Sequence, residues 1–267
     1  MEWQQWYTNL RRNNEKIWTN YLSYHPSNYT EITIQNPDGH ATIVKEAEKN
    51  KMYFVTASQE SFVELMEQAP SNTVFNYAYR KENDLLPLAE AAGLKKYATY
   101  SRTTICYHSN PYHEKETPRR QVLQKMYDPE CGEFPTEENI PELDKLCHEV
   151  FDPLCDDVFS YDEWKNIIAN KEILVYKEAG EITAFYVFRY EGKKLYSNLS
   201  VNIGGANTLY SMERRIFEEA WEKGIRVYYG WGNLDNHRAH THVIPSDIIA
   251  KCAKSKESLY CDTFYKQ

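Results

Sequence analysis

The segment 172–231 constrains the fold of this chain more than any other, because its elements and their order follow directly from the sequence. Residues 172–201 are rich in β-branched and aromatic side chains and are interrupted at Gly180 and Gly192. Glycines between such runs favour tight turns, so this part predicts three consecutive antiparallel strands.

A helix and a further strand follow in the same segment. Apolar residues recur at helical spacing over 208–223, and Gly224 supplies a stop signal, so a helix is predicted there. Residues 225–231 then predict a strand. The apolar stripe of the helix consists of Met212, Ile216, Phe217, Ala220 and Trp221.

The remainder of the second half adds helices and edge elements. Residues 121–127 predict a strand, and 137–155 a helical stretch. Ser160 precedes Glu163 by three positions, which is a capping-box spacing at the start of another helix. A helix and a last strand end the chain. This order predicts an α+β fold with a mixed, mainly antiparallel sheet flanked by helices.

The first half has a similar rhythm of strands and helices. Its first ~30 residues have apolar side chains near helical spacing and predict a helix. Further helices are predicted over 58–70 and 84–93, and residues 109–118, polar with two prolines, form the best linker. The predicted strands cover 31–35, 41–49, 51–57, 72–80 and 94–108.

Composition limits the class of protein. The chain has 267 residues, a formal net charge of -8 and a mean hydropathy of -0.72. This charge argues against broad binding to nucleic acid or anionic membranes, and no apolar run is long enough to span a membrane. The N-terminus lacks the features of a signal peptide, and the six scattered cysteines predict reduced thiols. We therefore expect a cytoplasmic protein.

Three local features resemble the GNAT superfamily of acyl-CoA-dependent N-acyltransferases, over about 119–267. NIPELDKLCHEVFD is similar to the family's opening helix, and EILVYKEAGEITAFYVF to its strand–turn–strand pair. The helix that ends at Gly224, the next strand, and then Asn236 and Ala239 resemble its acyl-CoA-binding segment. The resemblance implies acyl transfer from acetyl-CoA or another acyl-CoA to the amine of a small molecule or amino sugar.

The first half carries an echo of the same family. DLLPLAEAAGLKKYATYSRT resembles its last helix, glycine turn and final strands. This likeness implies a tandem protein, with a smaller, partial GNAT-like domain over 1–112 and a complete GNAT domain over 119–267.

The loop NIGGANT, between the third strand and the helix, is the predicted cofactor site. The first N–H groups of a helix lack intrahelical partners, and glycines let an anion approach the backbone. A simple capped turn at Asn207 or Thr208 is the alternative. Within the resemblance, the pyrophosphate and pantetheine of the co-substrate would contact residues of the loop, the strand before it and the segment after the next strand: Leu199, Val201, Gly204, Gly205, Ala206, Asn207, Thr208 and Asn236.

The resemblance also implies that the thioester lies between two splayed strands, 195–201 and 225–231. His237 is the first choice for the general base, because imidazole titrates near neutrality. Tyr229 or Tyr196 would serve as the acid. The run HRAHTH lacks further ligands at metal-binding spacing, so no metal is expected.

Two departures from the family pattern keep other functions open. The glycines stand a few residues earlier than the family's phosphate loop, and Val243 occupies the position where many members carry a tyrosine. A Fem-type aminoacyl transferase and a degenerate, non-catalytic binding protein are the alternatives. We expect a small-molecule partner, no nucleic acid, and a monomer or homodimer.

Overall fold

The structure is a computed structural model of the whole chain. It describes residues 3–21, 30–46, 49–113, 118–156, 158–205, 207–236, 246–255 and 258–267.

One mixed, mainly antiparallel sheet forms the centre of the molecule. Its strands are β1 (Trp18–Thr19), β2 (Glu31–Asn36), β3 (Gly39–Lys45), β4 (Asn50–Thr56), β5 (Thr73–Tyr79), β6 (Lys95–Tyr107), β7 (Ile173–Glu178), β8 (Glu181–Glu191), β9 (Lys194–Asn202), β10 (Val227–Asn233), β11 (Ala253–Ser255) and β12 (Leu259–Lys266). The strand order is β2-β3-β4-β5-β12-β6-β10-β9-β8-β7, with β1 on β4 and β11 on β6. The sequence prediction of an α+β fold is thus confirmed.

Helices cover both faces of this sheet. They are α1 (Trp3–Asn13), α2 (Gln59–Gln68), α3 (Leu86–Ala91), α4 (Pro118–Met126), α5 (Ile140–Val150), α6 (Tyr161–Ala169), α7 (Thr208–Glu222) and α8 (Ser246–Cys252). Within the described ranges, none of them is long and apolar enough to cross a membrane.

The element order repeats once along the chain. Strands β2, β3 and β4 form an antiparallel meander, and α2 then leads to β5, which pairs parallel with β4. Strands β7, β8 and β9, helix α7 and strand β10 repeat this arrangement. Each set ends in a helix and a last strand. The two halves of the chain are therefore built to one plan.

The two halves exchange their last strands. Strand β12, at the end of the second half, pairs with β5 of the first half, and β6 of the first half pairs with β10 of the second. Strands β6 and β12 also pair with each other. This interlocking joins the halves into one sheet, and the division into domains over 1–112 and 119–267 stays a prediction.

Local signals in the sequence place most boundaries correctly. The Ser58 hydroxyl accepts a hydrogen bond from the Ser61 N–H at the start of α2, and Ser160 and Glu163 form the expected capping box on α6. Gly180 and Gly192 have φ values of 93° and 59°, which glycine adopts without a steric penalty. The predicted meander β7–β8–β9 follows.

Two sequence predictions are wrong. Residues 121–127 do not form a strand, because Pro118 opens helix α4 and good helix formers follow it. The first helix does not run through the first ~30 residues; it ends at Asn13. Trp18 belongs to β1 instead, since hydrogen bonds to the distant strand β4 outweigh its helical spacing.

Strand β1 occupies the edge of β4 that β5 leaves. Strand β3 pairs with all of β4, so β1 and β5 share its other edge. The pairing of β4 with β5 ends at Lys51, and beyond it the Asn20 side chain takes the place of β5. Its amide group donates to the Met52 carbonyl (2.9 Å) and accepts from the Phe54 N–H (2.7 Å). The gap between β4 and β5 is thus filled by the chain itself.

The packing of β12 yields a prediction about stability. Phe264 is fully buried and stacks on Phe75 at 5.1 Å between ring centroids, within the core of the first half. Phe264→Ala should lower the free energy of unfolding by about 3–5 kcal/mol, measured by urea denaturation. Tyr265→Ala, on the neighbouring half-buried position of the same strand, is the control. Equal losses in both variants would contradict this role of β12.

Candidate functional site

The parallel strands β9 and β10 part in the middle of the sheet. Their pairing runs from Lys194 opposite Val227 to Ser197 opposite Gly230 and ends there. Both strands continue, β9 to Asn202 and β10 to Asn233. The splay that the resemblance implied between these two strands is present.

A β-bulge on β9 lies at this point. Opposite β8, Val187 pairs with Leu199 and Phe188 with Ser197, so Asn198 is an extra residue. A bulge bends a strand and changes its alternation. Leu195 packs against α7, whereas Leu199, four residues later, packs in the core beneath α5 and α6 on the other face. The bulge therefore changes which face of the sheet the β9 side chains meet, at the point where β9 and β10 part.

Strand β10 is half-exposed along its whole length, although it is central in the sheet. Tyr228 packs on Phe217 of α7. Because side chains alternate along a strand, Gly230 and Gly232 lie on the same face as Tyr228 and add no side chain beyond it. Tyr229 and Trp231 lie on the opposite face. The half-exposed surface around Tyr229 and Trp231 on this face is referred to as the cleft, with β10 as its floor.

The predicted acids Tyr196 and Tyr229 meet in this cleft. Their rings stack at 4.7 Å between centroids with an interplanar angle of 10°. The Tyr229 hydroxyl donates a hydrogen bond to the Glu191 carboxylate. Burial and then this carboxylate raise the pKa of Tyr229. A raised pKa makes Tyr229 a weaker proton donor than free tyrosine, so its role as acid stays a prediction.

The glycine loop stands at the end of the splay, directly before α7. The Asn202 side chain accepts a hydrogen bond from the Gly204 N–H (3.1 Å) and donates one to the Gly205 carbonyl (3.1 Å). Asn207 is the N-cap residue, and its side chain makes no capping hydrogen bond in the described part of the chain. Helix α7 therefore begins next to the splay without a side-chain cap, as an anion site requires.

One neighbour of the loop disfavours an anion. A β-carbon built on Gly204 would lie 2.9 Å from Thr183 Oγ1 and 3.1 Å from Glu178 Oε1, so the Glu178 carboxylate lies against the loop. Gly205 is open, with only Thr208 Oγ1 within 4 Å of such a β-carbon, at 3.9 Å. A phosphate has room to approach the backbone at Gly205, and the Glu178 carboxylate lies close to that position.

The other predicted site residues fall in different places. Leu199 and Val201 are buried by their side chains, and their strand edge faces the splay. Thr208 is buried at the first turn of α7, and Asn236 is exposed in the turn after β10, where its N–H donates to the Asn233 carbonyl. His237 and Ala206 lie outside the described residues.

Sequence reasoning missed Glu213, on the inner side of α7. Its neighbours Met212 and Ile216 pack on β8 and β9, and Tyr210 and Phe217 pack against β6. Because β9 and β10 lie between β8 and β6, Glu213 faces the sheet beneath the splay. Its signal was present in the sequence: a carboxylate that shares a helical stripe with Ile216, Phe217 and Ala220.

Burial perturbs this carboxylate. It raises the pKa of Glu213 from 4.5 to about 7. Tyr107, Tyr112 and Tyr186 are close enough to interact with its charge. No hydrogen bond or ion pair to Glu213 occurs among the described residues. A half-buried carboxyl group without a partner among the described residues and with a pKa near neutrality is typical of a proton acceptor.

Other parts of the molecule carry less chemistry. A cavity of about 170 Å³ lies on the first half of the sheet, lined by Trp3, Gln4, Tyr7, Thr8, Thr19 and Tyr21, none of which is a carboxylate, imidazole or thiol. In the ranges that the structure describes, no three His, Cys, Asp or Glu residues are placed to hold a metal ion.

The fold is similar to that of a solved GNAT protein. The chain is similar to a tandem GNAT protein from the clavulanic acid biosynthesis pathway, with a TM-score of 0.50 and 8% identity over 91% of this chain and 85% of that one. No protein-family model matches the chain, and no curated protein is significantly similar to it in sequence. The similarity to this tandem protein shows the fold alone.

Two further solved structures are similar over most of the chain. One is the GCN5-related N-acetyltransferase from Sphaerobacter thermophilus, with a TM-score of 0.46 and 10% identity over 85% of this chain and 76% of that one. The other is an acetyltransferase of the GNAT family from Colwellia psychrerythraea, with a TM-score of 0.43 and 13% identity over 86% and 82%.

The pKa of Glu213 yields a prediction about stability. Between pH 4.5 and about 7 the folded protein holds the proton of Glu213 while the unfolded chain has lost it, so stability falls as pH rises through this window. Glu213→Gln should remove this loss and stabilise the protein at pH 8, relative to pH 5, by up to about 3 kcal/mol. Urea denaturation at both pH values measures it. Glu222→Gln, at an exposed position of the same helix, should change neither value.

Proposed function

We propose that this protein is an acyl-CoA-dependent N-acyltransferase, in which the second half of the chain binds the co-substrate and transfers an acyl group, such as acetyl, to a small-molecule amine. The observation that carries the proposal is the splay of β9 and β10 next to the uncapped start of α7. A splayed pair of parallel strands leaves backbone N–H and C=O groups free to pair with the amides of pantetheine.

The residues at this place fit an acyl-CoA. The edge of β9 around Leu199 and Val201 is available to the pantetheine arm, and the backbone at Gly205 and Asn207 to the pyrophosphate. The Thr208 N–H already donates to the Gly205 carbonyl (3.3 Å), so Thr208 would contact the pyrophosphate only if this bond opened. The Glu178 carboxylate opposes this fit by charge repulsion. Exposed charges in contact interact by roughly 0.2–1 kcal/mol, so the loss of binding free energy is of that order.

The chemistry requires that the attacking amine lose a proton. We assign this step to Glu213, directly or through a water molecule, because its carboxyl group faces the splay from the α7 side and titrates near neutrality. His237 remains the other proposal for the base. Tyr196 and Tyr229 line the opposite side of the opening, where the acceptor would enter.

The negative charge near the loop keeps a second proposal in place. Glu178 beside Gly204 opposes binding of the pyrophosphate, and the hydrogen bond from Tyr229 to Glu191 weakens Tyr229 as an acid. Both observations favour a non-catalytic binding protein over a Fem-type aminoacyl transferase. The acidic net charge also counts against a tRNA substrate. Binding of acetyl-CoA without transfer to any amine would support the non-catalytic alternative.

Substitutions in the loop test whether it binds the co-substrate. Gly205→Glu places a carboxylate where the pyrophosphate would lie, so acetyl-CoA affinity, measured by calorimetry, should fall at least about 10-fold. Gly205→Gln adds the same bulk without charge and should lose less, and Glu178→Gln should bind more tightly than the wild type. If Gly205→Glu binds acetyl-CoA as well as the wild type, the loop is only a turn.

Kinetics test the role of Glu213. Wild-type kcat/KM should rise with pH to a plateau with a midpoint near 7, since only the ionised carboxylate accepts a proton. Glu213→Gln should lower kcat by about 100-fold or more and lose this limb of the profile, while acetyl-CoA affinity stays unchanged. An unchanged pH profile in the variant would assign the base to another residue.

A further inference from the structure

The cleft above β10 also holds an arginine, Arg102. Arg102 lies on β6, directly opposite Trp231 of β10, and therefore shares the face of the cleft floor. Its guanidinium carbon is 5.6 Å from the ring centroid of Tyr229 and 5.7 Å from that of Trp231. These distances allow cation–π attraction, which holds the guanidinium beside both rings.

Among the described residues, no group accepts a hydrogen bond from Arg102. Its Nε is buried, and no described residue accepts a hydrogen bond from the guanidinium or forms an ion pair with it. The other arginines nearby differ in this respect, since each has an acceptor: Glu172 for Arg189, Glu218 for Arg214, the Cys131 and Gly132 carbonyls for Arg215, and the Trp221 and Ile225 carbonyls for Arg226.

The guanidinium of Arg102 is suited to binding an anion, because its buried Nε has no acceptor among the described residues. A buried N–H without a partner costs free energy, and the cost is recovered when a ligand supplies an acceptor. The two rings fix the guanidinium so that its fork of N–H groups can bind a carboxylate with two parallel hydrogen bonds. Glu191, which contacts Tyr229 in the same cleft, is already bound to the Tyr229 hydroxyl.

We propose that Arg102, with Tyr229 and Trp231, binds a carboxylate of the acceptor, so that the acceptor is an amino acid or a similar amine that carries a carboxylate. This inference rests on the proposed acyltransferase function and narrows its substrate class. The amine of such an acceptor would lie toward the splay, next to Tyr196 and Tyr229. A phosphate on the acceptor has the same charge, and the experiment separates the two sources.

The experiment compares acceptors that differ only in the carboxylate. With acetyl-CoA as donor, L-phenylalanine and L-lysine are compared with phenethylamine and cadaverine, and phosphoethanolamine represents a phosphate. Release of free thiol gives kcat/KM. At least one amino acid should exceed its decarboxylated partner by about 10- to 100-fold, the range expected for hydrogen bonds to a charged group.

Variants connect this preference to Arg102. Arg102→Met should abolish the preference by raising KM for the amino acid, with little change for the amine, and Arg102→Lys should restore it only in part, because lysine lacks the planar fork. Arg189→Met, on the same face and paired with Glu172, should leave the preference intact. Circular dichroism and acetyl-CoA binding confirm that each variant is folded.

The outcomes are distinct for the two proposals. If no amine is acylated, the proposed transfer fails, and calorimetry of the full chain with L-phenylalanine and phenethylamine tests the anion site by itself. Binding of L-phenylalanine that is abolished in Arg102→Met then supports the anion site. A preference that persists in Arg102→Met, a preference for the decarboxylated amines, or a preference for phosphoethanolamine would overturn the carboxylate assignment.

Discussion

The rest of the structure depends on the end of hydrogen bonding between β9 and β10 after Ser197 and Gly230. Within the described residues of the second half, this is the place where two neighbouring strands leave backbone groups available. The bulge at Asn198 lies at this point, and a bulge bends a strand and disrupts its pairing. The start of α7, the glycine loop and the aromatic floor of the cleft all take their positions from it.

The first half meets the same constraint and resolves it differently. There β5 leaves β4 after Lys51, but Asn20 and β1 take up the free backbone groups of β4. Tyr21, the next residue, is fixed by hydrogen bonds of 2.7 Å to both His40 and Thr42. Since unpaired backbone groups must find partners, a filled gap is stable and an open one is typical of a binding site.

Sequence periodicity predicts the elements that local signals control, and it fails where distant contacts decide. The stripe on α7, the turns at Gly180 and Gly192 and the capping box on α6 are local, and each prediction is confirmed. Strand β1 forms through its pairing with the distant strand β4. The spacing of apolar residues around it is helical, so the sequence alone predicts a helix there. The exchange of β6 and β12 has no signal in either strand. In the site, the sequence analysis named Tyr196 and Tyr229 as alternative acids on the two strands of the splay, and the structure adds that their rings stack. Glu213 and Arg102 could be recognised only from the tertiary structure, in which no described residue pairs with them.

The two unpaired charges lie on opposite faces of the sheet, and this separation bears on the direction of the proposed reaction. Glu213 approaches the splay from the α7 side, where Gly230 leaves room, and Arg102 stands on the side of Tyr229 and Trp231. An acceptor held by its carboxylate at Arg102 would point its amine at the opening, and the proton would leave toward α7. In the proposed reaction, attraction by Arg102 and proton removal by Glu213 would act at different ends of one acceptor, from opposite faces of the sheet.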